Sequence, residues 1–193
     1  MISQPEYVPC RTVGFDGYLT LSGLLNFLRR ATEMQDSSID IGDFEISEAD
    51  RLGVIFFDAV REGAAEFYTI EQREVWAATP PSGANWASRL AAQTTLVARK
   101  AGLPVGFMTL DTNGYIDLAF VAPGQQRQGI GRSLYARIER LARDAEMPRL
   151  HSQASHLVRG LFEQQGWEII RAQQIERAGV TLTNFLMQKH LQD

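Results

Sequence analysis

The chain has 193 residues, room for one domain of ordinary size or a domain with an appendage. Its 45% hydrophobic and 22% charged residues are globular in proportion and exclude global disorder, while a formal net charge of −4 gives no electrostatic footprint for nucleic acid. A single cysteine, Cys10, excludes an intrachain disulfide and a cysteine-based metal cluster. No apolar run approaches the roughly 18 residues of a membrane span. Residues 1–6 lack the basic and then apolar pattern of a signal peptide. The expected setting is therefore cytoplasmic, with neither metal nor membrane.

In chain order, residues 1–37 read as an N-terminal extension ahead of a domain spanning 38–193. Residues 7–13 suit a short strand, Phe15-Asp16-Gly17 carries turn chemistry, and Ser22 is positioned to cap a helix reaching Gln35. The apolar side of that helix has to be covered, which makes the extension a packing or homodimerisation element. Residues 39–44 suit a first strand. Ser47, with Asp50 three residues on, is the expected cap of a helix carrying Leu52, Ile55, Phe56, Ala59 and Val60 at helical spacing. Thr69-Ile70-Glu71-Gln72 opens another helix with Trp76, and Thr79-Pro80-Pro81-Ser82-Gly83 stops it.

Strands then crowd the middle. Residues 94–99 alternate and are β-branched, 100–104 form a turn, and 105–110 resume as a strand. Asn113-Gly114 is a hairpin signal, so 115–121 is the expected third strand of an antiparallel meander. From Gly131 to about Glu146, Leu134, Ile138, Leu141 and Ala145 mark an amphipathic helix. A short strand over 150–153, a helix over 157–165 closed by Gly166, and strands over 167–171 and 181–188 complete the chain. The fold class is α+β (mixed α/β), with a largely antiparallel sheet and one βαβ-like crossover near the end.

Chemistry concentrates between that third strand and the long helix, in Gln126-Arg127-Gln128-Gly129-Ile130-Gly131-Arg132. Glycines let the backbone turn sharply and approach a ligand. The mouth of a helix presents unpaired N–H groups and partial positive charge, so a loop feeding into it can receive phosphate, and Arg127 and Arg132 add full charges. A Walker loop would need Lys after a glycine, and a dinucleotide fingerprint a third glycine on a first βαβ unit; neither is present. A tight strand-to-helix turn without ligand satisfies the same spacing.

Gln126-x-x-Gly129-x-Gly131 resembles the pyrophosphate signature of GNAT-type N-acetyltransferases. The similarity extends to residues 115–123 as the family's fourth strand, 105–110 as its third, Ala154-Ser155 with 161–167 as its late helix and next strand, and 67–76 and 179–189 as segments of a bacterial branch of small members; it covers 39–189. The resemblance implies a sheet splayed between strands four and five and acetyl-CoA as cosubstrate. It implies diphosphate held by the backbone of Gln126, Arg127, Gln128, Gly129, Ile130 and Gly131 with Arg132, pantetheine paired along Phe120 and Val121, and an N–H near Val121 facing the thioester oxygen. Ser155 and Phe162 fall on positions that face the cofactor. The implied reaction is transfer of acetyl to a primary amine of a small molecule or peptide by direct attack, leaving Cys10 a bystander. The match departs at Phe162, where many members carry a tyrosine that protonates the leaving thiolate; Ser155, His156 and Tyr135 are the substitutes within reach in sequence. Asp117, Glu71 and His151 are the candidate bases. The acceptor side would draw on Phe56, Phe57, Phe67, Tyr68, Trp76, Asn184 and Phe185, although aromatics at helical spacing are core first. A non-catalytic acyl-CoA-binding or sensing module is the alternative that the missing tyrosine leaves open.

Overall fold

The structure, a computed structural model, describes residues 38–192. These fall within the second of two units, Ser37–Asp193, and the expectations for the strand, turn, capped helix and Cys10 of the N-terminal extension lie outside them. The strands are β1 (Ile39–Asp43), β2 (Thr94–Lys100), β3 (Leu103–Leu110), β4 (Ala119–Val121), β5 (Arg149–Ala154), β6 (Glu168–Arg177) and β7 (Val180–His190). The helices are α1 (Ala49–Asp58), α2 (Ile70–Trp76), α3 (Gly83–Ala91), α4 (Ile130–Asp144) and α5 (His156–Gln164). Two antiparallel sheets, in the orders β1-β2-β3-β4 and β5-β7-β6, touch through one parallel bridge between Tyr115 and His151. Among the described residues no helix is long and apolar enough to cross a membrane.

Both faces of the first sheet are covered, because alternate side chains point to opposite sides of a strand. Val97 and Phe107 pack with Leu52, Ile55, Trp86 and Leu90 of α1 and α3. Leu96, Ala98 and Met108 pack with Ile130, Leu134 and Ile138 of α4. Double coverage explains why β2 and β3 are almost continuously buried.

Local signals were mostly followed, and the exceptions have physical causes. The turn entering α1 is capped by Glu45 and Glu48, not by Ser47 and Asp50. Glu48 is drawn there by Arg99, whose Nε donates to it at 2.7 Å; Asp50 instead accepts from the Gly83 N–H at 2.9 Å. That contact supports α3, a helix the sequence pattern did not announce, since its buried anchors are only Trp86 and Leu90. Leu103 and Pro104 belong to β3, because the turn closes within Ala101 and Gly102, both at positive φ. The capping box of Thr69 and Gln72 is present as expected, with Gln72 N–H donating to Thr69 Oγ1 at 3.2 Å.

The last correction positions the site. Residues 115–121 are not one continuous strand. The Asp111 N–H donates to the carbonyl of Tyr115, whereas the Thr109 N–H donates to that of Leu118. Two steps along β3 are thus matched by three along the incoming chain, which is a bulge at Ile116–Asp117. Before it, the Ile116 N–H donates to His151 across the parallel bridge. After it, pairing turns wholly to β3, and two hydroxyls take the places of main-chain partners: Ser152 Oγ donates to the Ile116 carbonyl at 2.8 Å and the Leu118 N–H donates to Thr109 Oγ1 at 3.0 Å. Gly114 secures the junction, since its φ is +83° and a Cβ there would lie 2.3 Å from the Arg149 carbonyl oxygen. Beyond this point β4 and β5 part.

Ser152→Ala removes the donor to the Ile116 carbonyl in a buried setting and is expected to cost about 1–3 kcal/mol, read as a lowered urea midpoint; an unchanged midpoint would contradict this account of the junction.

Candidate active site

The parting strands leave two clefts, of about 450 Å³ and 430 Å³. Both are lined by Ala119, Phe120 and Val158, so they meet where β4 faces the first turns of α5. With Phe107 opposite Phe120 and the Ala122 N–H donating to Val105, antiparallel alternation turns the backbone groups of Ala119 and Val121 away from β3 and toward the opening. The carbonyl of Val121 accepts from Gln126 Nε2 at 3.1 Å.

The second cleft runs from this junction to the start of α4. Gly129 stands at the helix N-cap with φ +82° and no neighbour within 4 Å of a built Cβ; conformation, not space, requires glycine there. Arg127 is also left-handed, with φ +60°, at a cost on the order of 1–2 kcal/mol for an L residue. Alternation of this kind turns successive N–H groups into a concave anion nest, here continuous with the first N–H groups of α4. Arg127 and Arg132 line its mouth, and Val121, Leu134, Leu157, Val158 and Leu161 give it an apolar floor. A phosphate-bearing ligand with a long, weakly polar arm fits this donor set and lining.

Within the expected cofactor set, Val121, Phe120, Gln126, Arg127, Gly129, Ile130, Gly131 and Arg132 line this cleft. Gln126 works inward: its amide is held on Val121, in space left by the missing side chain of Gly63, where a Cβ would come within 2.5 Å of Nε2. Gln128 folds back, Nε2 donating to the Gly124 carbonyl at 3.2 Å. Phe162 is fully buried, stacks on Trp167 at 4.3 Å between centroids and lines neither cleft.

The first cleft carries Asp117 and Ser155. The bulge aims Asp117 inward, where Oδ2 accepts from Arg89 Nη2 at 2.7 Å and from Gln93 Nε2 at 3.4 Å. Ser155 is the N-cap of α5, yet its hydroxyl makes no cap bond. Instead the His156 N–H donates to the Tyr68 hydroxyl at 3.1 Å, and that hydroxyl donates to the Thr183 carbonyl at 2.8 Å. Burial raises the pKa of Tyr68, and that of Tyr115, where Asp117 adds to the effect. Glu71 is exposed on the first turn of α2 and lines neither cleft.

The remaining candidates separate. Tyr135 is interior, accepting from Trp167 Nε1 at 2.8 Å, with its pKa raised by burial. His151 packs on Tyr115 at the bridge and lines neither cleft. The His156 ring lies between Phe67 and Phe185. Of the residues expected on the acceptor side, Phe56, Tyr68, Trp76 and Asn184 line the first cleft. Phe67 lines the second, and Phe57 and Phe185 line neither. Sequence reasoning missed Arg89, Gln153 and Arg177 in the first cleft; Arg89 stands on the unannounced helix, and Arg177 lies beyond the strand end expected at residue 171.

Three comparisons bear on this geometry. The model of the acetyltransferase (GNAT) domain family matches residues 59–191. The uncharacterized N-acetyltransferase YafP of Escherichia coli strain K12 is 30% identical over 151 residues, covering 78% of this chain and 95% of its own. A GCN5-related N-acetyltransferase from Rhodopseudomonas palustris is 29% identical with a TM-score of 0.75, covering 80% of this chain and 97% of that one. The putative acetyltransferase YncA from Salmonella typhimurium, solved with its cofactor acetyl-CoA, shares the fold at a TM-score of 0.65 and 17% identity, over 81% of this chain and 96% of its own.

Burial, and secondarily the neighbouring Arg159, holds the pKa of His156 below the ordinary 6.5. The unfolded chain therefore binds more protons just below that value, and the stability carried by the neutral ring is intact above it and lost as pH falls through it. Ring titration by NMR is expected to show a midpoint below 6.5; a midpoint at or above it would contradict the packing described.

Proposed function

The chain belongs to the GNAT acetyltransferase family, and we propose that it transfers an acetyl group from acetyl-CoA to a primary amine of a small molecule or peptide by direct attack on the thioester. The observation that carries this reading is the meeting of the two clefts at Ala119, Phe120 and Val158, which brings a phosphate-binding mouth and an acceptor chamber to one opened stretch of backbone.

Acetyl-CoA, when bound, supplies an acyl group on a thiol leaving group, whose acidity resembles the cysteine value of about 8.5. The chain supplies the rest. The nest at Arg127–Gly129, the first turn of α4 and the two arginines hold the diphosphate. The free edge of β4 pairs with the pantetheine arm as an added strand would. The Val121 N–H, turned to the opening, stabilises charge as it develops on the thioester oxygen. Asp117 receives the proton of the attacking amine, directly or through water, and Arg89 and Gln93 fix its carboxylate. Ser155, which lines the first cleft with its hydroxyl free of the cap, delivers a proton to the leaving thiolate.

A second reading, an acyl-CoA-binding or sensing module, is favoured by one observation: the position that holds a tyrosine in many members is Phe162, buried against Trp167. The two readings differ in turnover. Calorimetric titration of CoA is expected to give micromolar affinity for wild type and at least about a tenfold loss in Gly129→Glu; affinity that survives the substitution would remove the site from this loop. A panel of amines read by thiol release is expected to yield an acetylated product, and CoA binding with no release above background would favour the sensor.

Asp117→Asn is expected to lower kcat by about 10²-fold with CoA affinity unchanged, measured by steady-state thiol release and calorimetry. An unaltered kcat would discard Asp117 as proton acceptor.

A further inference from the structure

The charge pattern of the acceptor cleft is not what a simple alkylamine calls for. Among the described residues its charged lining residues are Arg89, Asp117 and Arg177, two cations against one anion. Asp117 is engaged by Arg89 at 2.7 Å, whereas the guanidinium of Arg177 makes no ion pair or hydrogen bond among the described residues. Primary amines of the lysine type, with pKa about 10.4, arrive as cations near neutral pH, and a cation entering a cleft of net positive charge is opposed by it. An amine that also carries an anion reverses that sign.

The β6–β7 hairpin adds a length. Ile175 pairs with Leu182, Gln173 with Asn184, and Arg177 with Val180, so Ile175, Arg177, Leu182 and Asn184, all lining the cleft, lie along one face of the hairpin. Asn184 stands at the reaction end, donating to Gln153 Oε1 at 3.4 Å beside Ser155. Arg177 stands at the hairpin tip, next to Ala178 and Gly179, both at positive φ. The levels of Asn184 and Arg177 are four residues apart, roughly 13 Å at the usual strand rise. A guanidinium on a flexible stem closes part of that span, and the remainder is a spacer between nitrogen and anion. Phe56 and Trp76, which line the same cleft, give an apolar wall that suits an apolar or aromatic spacer.

We propose that the acceptor is a primary amine joined through an apolar or aromatic spacer to a carboxylate or comparable anion, and that Arg177 at the tip of the β6–β7 hairpin receives the anion. This rests on the acetyl-transfer reading for the identity of the reacting nitrogen, but the anion site is measurable without turnover. Arg177 recognises by charge and by the fork of its guanidinium, and the apolar wall excludes water around the spacer.

The test uses a matched pair of probes, 4-(aminomethyl)benzoate and its neutral amide, 4-(aminomethyl)benzamide. At saturating acetyl-CoA, thiol release from wild type is expected to favour the acid by about tenfold in kcat/KM, mostly through KM, and the preference is expected to vanish in Arg177→Gln. In parallel, the N-acetylated forms of both probes are titrated calorimetrically into CoA-loaded protein, with the acid expected to bind about tenfold tighter in wild type and equally in the variant. Equal affinities in wild type, a preference untouched by Arg177→Gln, or no binding of either product overturns the proposal. Product binding that behaves as expected while no amine releases thiol would sink the acetyl-transfer reading and leave the anion site standing.

Discussion

One extra residue in the strand pairing decides what this domain can hold. Between Tyr115 and Leu118 the chain takes three steps while β3 takes two. Side-chain and main-chain directions therefore invert, pairing to β5 stops at Ile116, and pairing to β3 resumes at Leu118. Were the ladder regular, the parallel contact begun at Tyr115 and His151 would run on and the edge of β4 would be consumed by β5. Instead that edge is open, the two clefts meet along it, and Asp117, the residue inside the bulge, is turned toward Arg89. An opened sheet leaves backbone groups that must find partners. Thr109 and Ser152 supply two of them by hydroxyl, which is why buried polar side chains stand in an otherwise apolar interior.

The halves on either side of the opening are stiffened by separate means. The first sheet is clamped between α1 and α3 on one face and α4 on the other. The second sheet is tied to the first around Tyr68, whose hydroxyl links the loop before α2 to β7 and to the start of α5. This tether places the N-terminus of α5, and with it Ser155 and Val158, opposite β4. The junction of the clefts is therefore fixed from both sides, as positioning of a reacting carbonyl against an amine demands.

Much of this was legible in the residues, and what was not has identifiable causes. The long helix α4 and its glycine-rich approach are local in origin: periodicity, a left-handed Gly129 and flanking arginines all lie within a dozen positions. The Thr69 cap was legible for the same reason. The bulge was not, because Tyr115 to Val121 alternates like a strand and only the register against Asp111 and Thr109 reveals the added residue. Helix α3 was invisible because its support comes from Asp50 across the fold, and Arg89 was lost with it. The Glu45–Glu48 cap was hidden by the partnership of Glu48 with Arg99, fifty-one positions away. Phe162, which the resemblance implied to face the cofactor, is stacked by tertiary packing on Trp167, and Tyr135, a substitute proton donor in sequence, accepts from the same Trp167. Glu71, a candidate base in sequence, is exposed on the first turn of α2.

The account turns on backbone N–H groups left open by the bulge and by the start of α4, and those groups can be watched one by one. In a titration of isotopically labelled protein with CoA, the account predicts that the amide resonances moving furthest are those of Ala119, Val121 and residues 128–132, with the outer strand β6 little changed. If CoA binds while those resonances stay in place and the shifts gather elsewhere, the open edge is not the binding surface and the account is wrong at its centre.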